Sequence, residues 1–384
     1  MMRIVVLGLM GQYPLGGMAW QVLHHLLGFR RLGCDCFYVE NSGAPPYSPR
    51  RLSIAESAND NIRFLRDTFR QFGLSESWAY YDCLTNRWFG MGKSAVRELL
   101  EHADLIVNLC GATLPDPDQR RKGCLVYIDT DPGLEQVRIA QGDRASREYL
   151  EAHDLHFSYG WNVGEPSSRI PSGGIAWRKT HPPVLVDLWD APAGRANASW
   201  RSIATYRNKG KDLVIDGEIY LWSKHPNFEQ VVALPARTSE RLELALANID
   251  EADRARFSSH GWGLRDPYTL TKSAGSYRRY VLGAKGEFSV EKDCYVRLNS
   301  GWFSDRTVCF LAAGRPCVVQ DTGFTSRVPT GLGLLTWHTA EEAADALDRV
   351  ARDYERHARA ARALAIEFFE ARVLLPQILK SAGP

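Results

Sequence analysis

Short apolar runs alternate with segments of helical spacing along the whole chain, and no other feature restricts the fold as much. Residues 2–9 hold the first run, through Ile4, Val5, Val6 and Leu7. Consecutive apolar positions mean that both faces of a strand are covered, as in a parallel sheet with helices on each side. The segment 16–31 follows, with Trp20, Leu23, Leu26 and Leu27 at spacings of three and four, and Gly33 stops it. Further strands are predicted at 34–40, 104–109, 125–128 and 154–158, and helices at 54–72 and 94–102. The stretch 78–91 is rich in aromatic residues and takes no assignment.

The composition changes over 189–199, where small residues with Pro192 and Gly194 read as a linker. The alternation then resumes. Strands are predicted at 200–206, 242–246, 287–290 and 316–320, and helices at 228–234, 252–259, 273–282 and 306–313. Thr339 and Glu342 form a capping box that opens one long final helix, with Leu347, Val350 and Tyr354 on one face. A chain of 384 residues suits two domains. The expected class is therefore α/β, with two doubly wound units divided at 190/191. Open parallel sheets bind ligands at the carboxyl ends of their strands, so two that face each other make a cleft.

Lys and Arg number 47 against 45 for Asp and Glu, a net charge of +2. That balance argues against a dedicated nucleic-acid binder and leaves room for a local site for a phosphorylated ligand. No apolar run reaches 18 residues, so no membrane-spanning helix is expected. The first run is too short for a secretion signal, and a cytoplasmic protein is expected. The eight cysteines sit largely in apolar surroundings, as Cys110 and Cys317 do, and read as buried thiols. Cys34 and Cys36 lack a second ligand pair, so no metal site is expected. His24 and His25, among apolar neighbours, read as packing residues.

The segment 299–324 carries most of the chemistry. A Gly-containing loop leads to a helix, then to a buried strand, then to an acidic Gly loop. Ser304 or Asp305 caps the helix, whose free amides and dipole suit an anion such as a phosphate. Arg306 adds a charge-assisted contact. Asp321 and Thr322 can bond hydroxyls, and Gly323 permits close approach. The plain alternative is a capped helix followed by an ordinary tight turn.

Within this segment, the stretch from Leu311 through Gly314, Arg315 and Pro316 to Val319 resembles the helix–Gly-x-Pro–strand element of GT-B glycosyltransferases. Asp321-Thr322-Gly323-Phe324 resembles the loop that follows it. Gly286-Glu287-Phe288-Ser289-Val290 and Ser300-Gly301-Trp302-Phe303-Ser304 are similar to a bacterial group of glycosyltransferases. The resemblance implies two Rossmann-like domains facing across a cleft. Residues 1–190 would hold the acceptor and 191–355 a UDP- or dTDP-linked sugar, with 356–384 a helical segment packing back on the first domain. It implies metal-independent transfer of the sugar to a small-molecule or glycan acceptor, with no cofactor besides the donor. Many retaining members carry two Glu residues where this chain has Gly301 and Cys309. Retention therefore has no support, and Glu287 is a substitute for the ribose contact.

Other residues complete the candidate list. The loop Tyr206-Arg207-Asn208-Lys209-Gly210-Lys211 follows the first strand of the second unit. Arg207 and Lys211 are its candidates for the donor diphosphate, and a solvated basic turn is the alternative. Gly16 and Gly17 end the Gly-rich turn that opens the first helix and can approach a phosphate. The spacing of Gly8 and Gly11 does not make a dinucleotide fingerprint. Asp131, which follows a strand, is a candidate base for the acceptor hydroxyl, as is Glu165. Asp131 reads equally as a turn cap before Pro132. Two rival readings stay open. Cys309, in place of the expected acid, allows a non-catalytic nucleotide- or sugar-binding protein. Glu40 and the early Gly loop allow a nucleotide-dependent oxidoreductase or epimerase.

Overall fold

The computed structural model describes all residues except 115, 117, 191–196 and 384. Most of the expected linker, and the start of the second unit at 191, lie outside the described residues.

The first sheet runs Arg87–Gly90, Trp78–Asp82, Asp35–Glu40, Arg3–Leu7, Leu105–Leu109, Cys124–Asp129, Leu155–Ser158, Trp177–Lys179. Among the described residues of this sheet, only the edge pair Trp78–Asp82 and Arg87–Gly90 is antiparallel. That hairpin is the aromatic stretch that took no assignment; Trp78 and Tyr80 are buried in it, whereas Trp88 and Phe89 are only partly covered. The second sheet runs Gly263–Leu264, Leu242–Ala247, Trp200–Thr205, Gly286–Ser289, Cys317–Gln320, Leu334–Trp337. All its pairs are parallel. In each sheet the order reverses beside the first strand, which is the doubly wound arrangement.

Apolar runs explain the central strands. Ile4, Val5 and Val6 have no exposed surface, because helices cover both sides. The helix Gly16–Arg31 lies across the first sheet and also meets the second domain through the helix Ala274–Leu282.

The single long final helix is corrected. The chain forms Ala340–Arg352, Tyr354–Leu364 and Ala371–Ala382, with a break at Asp353, whose backbone is at φ −140, ψ 53. The break directs the Tyr354 hydroxyl to the Lys285 carbonyl at 2.6 Å and His357 Nδ1 to the Gly333 amide at 3.1 Å. The last helix returns to the first domain and packs on Gly16–Arg31. Gly28 is required there, since a Cβ would stand 2.4 Å from Leu375. Among the described residues no helix is long and apolar enough to cross a membrane.

Candidate functional site

The carboxyl edges of the two sheets meet in a seam. On the first domain, Asp129 ends its strand with a buried carboxylate that accepts from Gln136 (2.6 Å) and Ser158 (2.9 Å). Burial pushes its pKa up to about 6 against those bonds. This anchor fixes the turn that presents Thr130 and Asp131 to the second domain. Trp302 donates its indole N–H to the Thr130 carbonyl at 2.8 Å. Asn162 donates through Nδ2 to the carbonyls of Asn299 (3.1 Å) and Gly323 (3.2 Å).

The helix expected to hold the diphosphate spans Asp305–Ala312, and Ser304 is its cap, accepting from the Arg306 amide at 3.2 Å. Its amino end faces the other domain but is not open. Ser304 is 7% exposed and Thr307 2%. Beside them lies a cavity of about 10 Å³, lined by Glu291, Ser304, Thr307, Gln320 and Thr322 among others, space for a single water. The first domain closes the end through a chain of polar contacts. Thr130 donates to Cys110 Sγ (3.0 Å), Cys110 to Gln21 Oε1 (3.2 Å), and Gln21 Nε2 to Asp305 (3.1 Å). Burial, with the charge of Asp131 adding, pushes Asp305 up to about 7 against the Gln21 bond.

Arg306 does not reach this end. Its guanidinium turns into the second domain and bonds Glu287, Ser289 and Glu291. Glu291 also takes Lys224 at 2.7 Å, and Glu287 has no exposed surface. Two cations and two carboxylates neutralise one another here, so neither Arg306 nor Glu287 is presented to a ligand. Arg207 is likewise engaged, with Asp253 at 2.5 Å and Asp250 at 3.6 Å, where it clamps the start of the helix Glu251–Ser259. Lys211 is exposed, 6.0 Å from the Trp222 ring.

In the acidic loop, Asp321 accepts from the Gly323 amide at 2.8 Å and from Thr325 at 2.9 Å. Thr322 donates to the Trp302 carbonyl at 2.6 Å. Both side chains thus shape the turn. Gly323 has φ +91, and a Cβ there would stand 1.9 Å from Asn299 Oδ1. Gly16 and Gly17 face protein. A Cβ at Gly16 would lie 2.5 Å from the Ser273 carbonyl, so Gly16 permits helix–helix approach between domains, whereas one at Gly17 would meet the Tyr277 ring at an ordinary 3.7 Å. Glu165 is exposed on the loop beyond Asn162.

Asp131 is bonded across the seam to Lys292 Nζ at 2.7 Å and to the Tyr295 hydroxyl. Partial desolvation in the seam would raise its pKa, but the Lys292 charge and these two bonds hold it below the ordinary carboxylate range. That makes Asp131 a weak proton acceptor. Lys292 went unnoticed in the sequence; its place just past a predicted strand end was the available signal. Glu40 is not a free acid. It accepts from the Gly11 and Gln12 amides (2.6 and 2.5 Å) and from Tyr38, and burial pushes it up to about 7. His24 and His25 are buried, the first accepting from Trp189 at 3.0 Å.

No protein-family model matches the sequence, and no curated protein does. Solved structures match over the whole chain. AviGT4, a glycosyltransferase involved in avilamycin A biosynthesis, is 10% identical with a TM-score of 0.57, covering 100% of this chain and 97% of its own. HepE of Anabaena, solved with UDP and glucose, is 12% identical with a TM-score of 0.57, covering 99% of each. An alpha-glucosyltransferase solved with UDP and a 13-mer DNA is 10% identical with a TM-score of 0.61, covering 99% and 98%. At such identities the likeness is one of fold, and the fold of this chain is the two-domain, Rossmann-like GT-B fold of these glycosyltransferases.

Proposed function

We propose that this protein transfers a sugar from a nucleoside-diphosphate donor, UDP- or dTDP-linked, to a small-molecule or glycan acceptor. The observation that carries the reading is the seam itself. The carboxyl edges of two doubly wound sheets meet there, within a fold shared over the full chain with UDP-bound glycosyltransferases.

Ligands of such sheets bind at the strand-order reversal. The donor would enter there once the domains part, because the helix end at Ser304 is covered by Gln21 and its neighbours. Lys211 offers the leaving diphosphate a solvent-accessible cation, and fixed charge of that kind serves where a metal ion otherwise would. The Asp321–Gly323 turn would line the sugar. Closing the domains over the donor excludes water and limits hydrolysis. Glu165, exposed on its loop, is the candidate base; in the free protein Asp131 is held by Lys292. Arg306 and Glu287 would act through one another, by fixing the strand end and helix start that frame the site.

The test is donor turnover. UDP- and dTDP-sugars incubated with a panel of hydroxyl acceptors should release nucleoside diphosphate in an acceptor-dependent manner. Binding of the donor without release across the panel would instead identify a non-catalytic binder.

A further inference from the structure

The ion pair between Asp131 and Lys292 joins the two domains. Asp131 lies in the turn after the strand Cys124–Asp129, and Lys292 in the turn after Gly286–Ser289, which flanks the strand-order reversal of the second sheet. The lysine is held in place. Its ammonium lies 4.1 Å from the Trp222 ring centre and 4.8 Å from that of Tyr295, and only 12% of its side chain is exposed. Aromatic faces stabilise a cation there. The Asp131 side chain, by contrast, is 52% exposed. Lys211, whose ammonium lies 6.0 Å from the same Trp222 ring centre, adds its field to the same carboxylate. The arrangement is an anion seat with an aromatic wall, and its occupant is a side chain of the opposite domain.

We infer that Asp131 is a built-in competitor for the diphosphate of the donor: it holds the Lys292 ammonium in the free protein, and the diphosphate displaces it. The identity of the anion rests on the sugar-transfer reading; the seat does not. A diphosphate carries more charge than one carboxylate and accepts several charge-assisted bonds at once, so it can satisfy Lys292, Lys211 and the Tyr295 hydroxyl together. Asp131, already half exposed, regains its hydration at small cost.

Calorimetric titration with inorganic pyrophosphate, and separately with UDP and dTDP, tests this on the full chain. Asp131→Asn should bind pyrophosphate about fivefold tighter than wild type, equivalent to about 1 kcal/mol, because the competitor is gone. Lys292→Gln should bind it at least about tenfold weaker, and Lys292→Arg should keep most of the affinity. A gain in Asp131→Asn cannot come from misfolding. Unchanged or weaker pyrophosphate binding in Asp131→Asn, or unchanged binding in Lys292→Gln, overturns the inference. If pyrophosphate behaves as expected while neither nucleotide binds, the seat stands and the nucleotide-sugar reading fails. If the nucleotides bind equally to wild type and Lys292→Gln, the reading stands and the seat fails.

Discussion

The indole nitrogen of Trp302 lies 2.8 Å from the backbone oxygen of Thr130, although 172 residues separate them. The indole ring also packs on Tyr295 at 4.8 Å between centroids. A loop of the second domain is thereby fixed to the turn that carries Asp131, and the same contacts that shape the candidate site hold the domains together.

Trp302→Phe keeps the ring and removes the donor. It should cost about 1–2 kcal/mol in denaturant unfolding, the cost of leaving a seam carbonyl unpaired. An unchanged midpoint would mean that this contact does not tie the domains.

Gly16→Ala places a Cβ 2.5 Å from the Ser273 carbonyl, and backbone cannot yield as a flexible side chain does. The variant should lose about 1–3 kcal/mol, as overpacked interiors do, and scatter as a more open particle. Gly17→Ala, whose Cβ would meet Tyr277 at an ordinary 3.7 Å, should behave as wild type in both measurements. Loss of UDP affinity in both variants with unchanged stability would instead support a phosphate-binding turn.

Arg306→Ala leaves Glu287 and Glu291 without their shared partner inside the second domain. Removing one member of a buried pair typically costs about 3–5 kcal/mol. Thermal unfolding should show a loss of that order. A stable Arg306→Ala protein that no longer binds UDP would restore Arg306 as a direct ligand of the phosphates.

Asp305 has its pKa raised from 3.8 to about 7 by burial, with Asp131 adding to the effect. The folded state therefore binds its proton more tightly than the unfolded state. Its contribution to stability falls as pH climbs from about 4 to about 7 and is level above that. Asp305→Asn removes this penalty. The variant should be more stable than wild type at pH 8, by about 2 kcal/mol given that the side chain is not wholly enclosed, and the gap should close toward pH 4. A constant difference across that range would show that Asp305 is not held protonated.

The sequence made the central strands and the first helix legible because their signals are local. The Gly16–Arg31 helix was expected with the same ends, since Trp20, Leu23, Leu26 and Leu27 mark one face and Gly33 follows. Leu334–Trp337 was missed, because four residues between glycines and a cap offer no period to read. The capping box at Thr339 marks where the final helical segment begins but not its break at Asp353, which tertiary bonds from Tyr354 and His357 accompany. The site was less legible for the same reason. Arg306 invites assignment to a phosphate until Glu287 and Glu291 are seen around it, and Asp131 and Lys292 lie 161 residues apart. Charge type can be read along a chain, but charge pairing across two domains cannot.

A crystal structure with UDP or dTDP bound tests the central claim most directly. The account predicts diphosphate density in the seam, bonded to Lys292 and Lys211, with the Asp131 carboxylate moved off the ammonium. A nucleotide bound elsewhere, for example beside Gly8 and Gly11 with the Asp131–Lys292 bond intact, would contradict it.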